Sequence, residues 1–165
     1  MKKFIILLSL MVLASCKTNK IVTTSSSTSI SEPAKTGIQQ LPLTSVDLAH
    51  KTRAYELGKR ILNTCNTSKF KPFTSDEATQ SIINNITLEK LSKTCNRYRQ
   101  SYGDFKDLQL AEIYQDYDDS TTVFRYKALY TKEVANKELR VYMNNENKVS
   151  GIKSMDWETT FERKK

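Results

Sequence analysis

The sequence is poor in the residues that most catalytic and cofactor motifs need. Its 165 residues include only 4 Gly, 3 Pro, 3 Cys and 1 His. So few glycines argue against a dinucleotide fold built on a glycine-rich turn, and the lone His50 excludes a multi-histidine metal site. There is no Cys-x-x-Cys pair, no nucleophile elbow and no phosphate-cradling loop. No internal repeat at a solenoid period is visible. The only extended apolar run, Phe4 to Ala14, is interrupted by Ser9. Its length covers roughly 16 Å of helix, about half of a ~30 Å hydrocarbon core, so it is too short for a good permanent span.

What is present begins with an address. Lys2 and Lys3 precede the apolar run, which ends in Leu13-Ala14-Ser15-Cys16. A positive start, a short apolar stretch and small residues at its end read as an export signal over residues 1–15. The final tetrapeptide resembles the lipobox of bacterial lipoproteins, a branched apolar residue and two small residues before cysteine. The resemblance implies cleavage before Cys16 and acylation of its thiol, hence a membrane partner. Lys17 rather than aspartate at the next position implies the outer membrane rather than the inner. The expected location is the cell envelope, on the periplasmic face.

Residues 16–45 read as a lipidated, Ser/Thr-rich tether. Lys17 to Ser45 holds 12 Ser or Thr among 29 residues and no aromatic. Such a stretch buries too little apolar surface to offset chain entropy. Composition then changes. All 8 Tyr, the Trp and all but one of the 6 Phe lie beyond residue 45, so residues 46–165 form the expected domain. About 120 residues suffice for one core.

The first half of that domain has helical period. Thr44 and Asp47 have capping-box spacing ahead of the stripe Val46, His50, Ala54, Leu57, Ile61 and Cys65. Thr74 and Glu77 form a second such box before Ala78, Ile82 and Ile83. Thr87 opens a third helix with the stripe Leu88, Leu91, Cys95, Tyr98 and Tyr102, stopped by Gly103. The second half has period two. Thr122, Phe124, Tyr126, Ala128 and Tyr130 alternate with Val123, Arg125, Lys127 and Leu129, and Leu139, Val141 and Met143 alternate with Arg140 and Tyr142. Flanking strands are expected over 108–117 and 148–155, with a bulge at Gly151. The fold class is α+β: N-terminal helices packed on a curved antiparallel four-stranded sheet.

This order, with Tyr102-Gly103-Asp104-Phe105 after the third helix and Asn147-Lys148-Val149-Ser150-Gly151-Ile152 at the last strand, resembles the nuclear-transport-factor-2-like cone. A cystatin-like sheet wrapped on one helix is the alternative. The cone resemblance implies a pocket between sheet and helices. In some members it houses an acid/base residue, as in ketosteroid isomerase and scytalone dehydratase.

The residues offer little for such chemistry. The strand expected to line the cone presents Phe124, Tyr126 and Tyr130, a candidate pocket wall whose period-two spacing is more usual for core, and no carboxylate alternates into that row. His50 reads as a boundary residue of its helix. Asp116, Asp118 and Ser120 start a calcium-loop spacing that Thr121 and Lys127 break. Cys65 and Cys95 are either a disulfide or two buried thiols. The charge of +8 falls in the domain to 21 Lys and Arg against 17 Asp and Glu, a net +4. Arg97, Arg99, Lys106, Arg125 and Lys127 therefore read as a solvated face, and nucleic acid is not an expected partner. The expectation is a non-catalytic domain without a cofactor that binds an envelope protein or a small apolar ligand. The alternative is a small acid/base enzyme of isomerase or dehydratase type.

Overall fold

The computed structural model describes residues 35–163, so residues 1–15, Cys16 and most of the tether lie outside the described residues. The elements are β1 (Ile38–Leu41), α1 (Leu48–Thr67), α2 (Gln80–Asn85), α3 (Leu88–Tyr102), β2 (Phe105–Asp116), β3 (Thr121–Tyr130), β4 (Lys137–Asn144) and β5 (Val149–Asp156). The class is α+β, and the sheet is an antiparallel meander ordered β1-β2-β3-β4-β5. Among the described residues no helix is long and apolar enough to cross a membrane.

The sheet has five strands, not four. β1 falls inside the stretch that composition assigns to the tether. Ile38 to Leu41 pair with Asp116 to Ile113, and Gly37 N–H reaches the Asp118 carboxylate at 2.9 Å. Backbone pairing holds this strand, with Leu41 alone turned onto the core, which is why an aromatic-poor segment gives no compositional sign of it.

Helix α1 lies across the sheet, and its cap is Asp47 rather than Thr44. The Asp47 carboxylate accepts from His50 N–H at 2.8 Å. Ala54, Leu57, Ile61, Leu62 and Cys65 are buried on its lower face. Gly58 sets how close it comes: a Cβ placed there would stand 2.9 Å from Cγ2 of Val141 and 3.0 Å from Cδ2 of Leu139. At the far end, the Asn66 side chain donates to the Phe105 carbonyl at 2.7 Å and accepts from Phe105 N–H at 2.9 Å. It thus pairs with the first residue of β2 as a neighbouring strand would.

The second capping box is a turn instead of a helix start. The Glu77 carboxylate accepts from Thr74 N–H at 3.1 Å, but Ala78 forms a parallel bridge to Val149, and α2 starts only after Thr79. Val149 N–H bonds to Glu77 O and Thr79 N–H to Val149 O, both at 2.9 Å, so this segment extends the β5 edge. Thr87 caps α3 and Gly103, at φ 78°, ends it. Leu88, the first residue of the α3 stripe, is exposed. The bulge stands where it is expected: Tyr142 pairs with Gly151 and Met143 with Val149, leaving Ser150 over.

Gly58 gives the fold its test. Gly58→Ala gains about 1 kcal/mol of helix propensity, yet the stiff Val141 side chain must move to admit the methyl. The expected net loss in urea unfolding is about 1 kcal/mol for Gly58→Ala and about 3 kcal/mol for Gly58→Val. A gain in stability with alanine would show that the helix is free to lift.

Candidate functional site

The interior row is core. Phe124, Tyr126 and Tyr130 project from β3 toward the helices and are all buried. The His50 ring meets Phe124 edge-on at 5.2 Å, Tyr55 covers Tyr126, and Tyr130 is enclosed by Tyr98, Tyr102 and Phe105. The pocket-wall reading therefore gives way to aromatic packing, because the large side chains themselves occupy the space between sheet and helices. Tyr126 alone of the three also edges an open groove with Tyr55, Leu108 and Leu110, and its buried hydroxyl has no hydrogen-bond partner among the described residues. Burial holds the Tyr126 and Tyr130 phenols neutral by raising their pKa, and it lowers that of the His50 imidazole.

Space remains at the other end of α1. A cavity of about 380 Å³ opens between α1, α3 and the β4–β5 edge. Ile61 and Leu62 of α1 with Leu139 and Ile152 of the sheet form its apolar floor, and Ile86 and Leu91 form its walls. Within it the Tyr98 hydroxyl donates to Ser154 Oγ at 3.3 Å. Lys90 and Arg97 stand at its edge on exposed positions of α3, and among the described residues no carboxylate lines it.

A disulfide forms part of the lining of this cavity. Cys65 of α1 and Cys95 of α3 form a disulfide with Cα atoms 4.7 Å apart, which fixes the two helices at one wall. Closing a loop of about 30 residues contributes roughly 3.5 kcal/mol in the entropy model. A second tie on α1, away from this cavity, is ionic. Arg60 grips Glu77 with both ends of its guanidinium, at 2.7 and 2.6 Å, and ties the segment leading into α2 to α1. The Arg60 hydrogen bonds, supplemented by the Thr74 amide, hold the Glu77 carboxyl at a pKa of about 2.

Part of the outer face of the sheet is covered as well. Arg125, expected on a solvated face, is fully buried, as are Glu138 and Arg140. Arg125 and Arg140 are direct cross-strand partners, and Glu138 stands on the same face of β4 two residues before Arg140. Its carboxylate accepts from Arg125 Nε at 2.7 Å and from Arg140 Nε at 2.5 Å, while Glu112 takes Arg125 Nη1 at 2.7 Å. Residues 157–163 lie over this cluster. The Trp157 ring covers the Arg125 guanidinium at 3.9 Å and the Phe161 ring covers that of Arg140 at 4.4 Å. The carbonyls of Glu158 and Glu162 accept from the two arginines. Alternation along β3 and β4 marks these side chains as outward-facing; the overlooked signal is Trp157 and Phe161 placed just after the last strand.

The partial calcium-loop spacing is filled by the same segment. Arg163 donates to Asp116, Asp118 and Asp119 at 2.9, 2.9 and 2.6 Å, so a guanidinium occupies the place a cation would take. Among the described residues no group of three or more His, Cys, Asp or Glu is arranged to hold a metal ion. Cys16 lies outside the described residues. No profile of a known family, no curated protein and no solved structure matches the chain.

Two measurements follow from these ion pairs. Glu138→Gln leaves two buried guanidiniums without a full countercharge, and the expected loss is about 3 kcal/mol in urea unfolding at neutral pH. Glu112→Gln, at the more exposed end of the cluster, should cost about 1 kcal/mol or less. Equal losses would mean that burial does not set the strength of these pairs. For Glu77 the folded pKa is depressed from an ordinary 4.5 to about 2. Its contribution is therefore complete above pH 4.5 and disappears as pH falls toward 2. Glu77→Gln should lower stability by about 2 kcal/mol at pH 6, with wild type and variant converging as pH falls to the folded pKa of about 2. A pH-independent difference would assign the effect to packing.

Proposed function

We propose that this chain is a bacterial lipoprotein of the cell envelope, held through acylated Cys16, whose folded body binds a small apolar ligand or an envelope protein and does no chemistry on it. The anchor rests on Lys2, Lys3, the apolar run and Leu13-Ala14-Ser15-Cys16. Lys17 favours the outer membrane, and residues 17–34 act as a spacer ahead of β1 that sets the domain off from lipid head groups. The fold reading is the nuclear-transport-factor-2-like cone. Three helices preceding a meander support it over a cystatin-like sheet wrapped on one helix, with β1 as an added edge strand.

One observation carries the binding role: an apolar cavity stands between α1, α3 and β5 while aromatic side chains pack the rest of the interior. General acid/base catalysis needs a titratable group in reach of the substrate with a pKa suited to the task. The ionisable side chains lining this cavity are Lys90 and Arg97 at its edge and Tyr98, whose hydroxyl bonds to Ser154. That set suits holding a ligand better than moving its protons. Two or more acyl chains on Cys16 give a stable anchor at ~0.8 kcal/mol per buried CH₂.

The anchor is tested by growth with labelled palmitate. Wild-type protein should incorporate label and fractionate with the outer membrane. Cys16→Ser should incorporate none and lose its hold on that membrane. Equal labelling of both chains would remove the lipoprotein assignment.

A further inference from the structure

We infer that the cavity between α1, α3 and β5 binds a single-chain anionic amphiphile, with its apolar body on the floor of Ile61, Leu62, Leu139 and Ile152 and its acidic head between Lys90 and Arg97. This deepens the binding role proposed above and rests on it.

The shape fixes the size of the ligand. A volume of about 380 Å³ stands at the lower end of the range for small-molecule sites. It suits one short apolar chain rather than the paired chains of a phospholipid. The lining fixes the polarity of the body. The Tyr98 hydroxyl and Ser154 satisfy one another inside the cavity, so an apolar segment leaves neither of them stranded.

The rim fixes the charge of the head. Lys90 and Arg97 are seven residues apart on α3, two helical turns, and so project from the same side. Neither forms an ion pair among the described residues; Lys90 Nζ reaches only the neutral Asn85 carboxamide, at 3.3 Å. The acid closest to Lys90 in sequence, Glu89, pairs with Lys93 one turn along the helix. With no Asp or Glu among the described residues of the lining, the mouth presents two positive charges to whatever enters. A neutral amphiphile would leave both unanswered, and a cationic one would be repelled.

The test uses the full chain carrying Cys16→Ser, purified without detergent, and calorimetric titration with decanoate, decanol and decylamine below their micelle concentrations. Decanoate should bind saturably at one site, about tenfold more tightly than decanol, with decylamine weaker still. The double variant Lys90→Gln/Arg97→Gln changes two exposed side chains. It should weaken decanoate about tenfold to the level of decanol and leave decanol unchanged. Leu91→Trp, which fills the cavity, should abolish binding of all three while the far-ultraviolet circular dichroism stays that of the parent. Decanol binding as tightly as decanoate overturns the anionic head. Decanoate binding untouched by Leu91→Trp overturns the location. A short-chain phosphatidylglycerol that displaces decanoate and binds more tightly overturns the single chain. Absence of decanoate binding overturns the inference alone, because palmitate labelling of Cys16 reports on the anchored reading independently.

Discussion

One buried carboxylate determines what the outer half of this protein can be. Glu138 lies between Arg125 and Arg140, and all three are removed from water. Two guanidiniums placed opposite each other on adjacent strands repel, and burial magnifies the repulsion. Glu138 reverses the sign of that interaction, and Glu112 supplies the second negative charge that brings the cluster to neutrality. Only then is it physically reasonable to cover it with Trp157 and Phe161, whose ring faces attract the cations they shield. The carbonyls of Glu158 and Glu162 take guanidinium donors that the carboxylates leave over. Charge neutrality, aromatic cover and strap form one unit. It spends the part of the outer sheet face around Arg125 and Arg140 on the protein's own C-terminal segment.

The inner half obeys a different constraint, that of close approach. Gly58 lets α1 rest directly on Val141 and Leu139, and Asn66 fastens the end of the same helix to the start of β2. With α1 fixed, the aromatic side chains of β3 fill the space beneath it. The third helix cannot approach as closely, because Cys95 is tied to Cys65 on the flank of α1 and Tyr98 is held at the β5 edge by Ser154. The cavity is the difference between a helix that reaches the sheet and one that is held beside it. This mismatch in approach leaves room for a ligand between α1, α3 and β5.

Much of this plan was legible in the sequence, and the failures have identifiable causes. Three helices, the long strands and the Gly151 bulge follow from period and turn chemistry, since each element buries one face. β1 was not legible, because a four-residue edge strand gains its stability from backbone pairing and its side chains carry no pattern. The caps shifted because Asp47 and Thr44 are both competent cap residues, and the choice between them is made by where α1 meets the sheet. Arg125 was misread because alternation says which side chains face outward but not whether that side is wet. The cavity was not legible for a related reason: Ile61, Leu62, Leu139 and Ile152 belong to the core or pack on it, and nothing in their spacing shows that a cavity borders them.

The overall charge shows how a bulk quantity can point away from the place that matters. A domain excess of four positive charges suggests a broad attraction to anionic surfaces. Yet Arg60, Arg125, Lys137, Arg140 and Arg163 are all committed to carboxylates within the fold, several of them out of contact with water. Such pairs contribute to holding elements together and project little field. Lys90 and Arg97 are the opposite case: two cations on one side of a helix, with no acid among the described residues set against them, bordering an apolar cavity. At ~0.15 M salt the field of scattered surface charge fades within about 8 Å, whereas two charges at the edge of a low-dielectric opening act on whatever occupies it. The distribution of countercharges, more than their sum, selects this cavity as the place where an acidic group would be recognised.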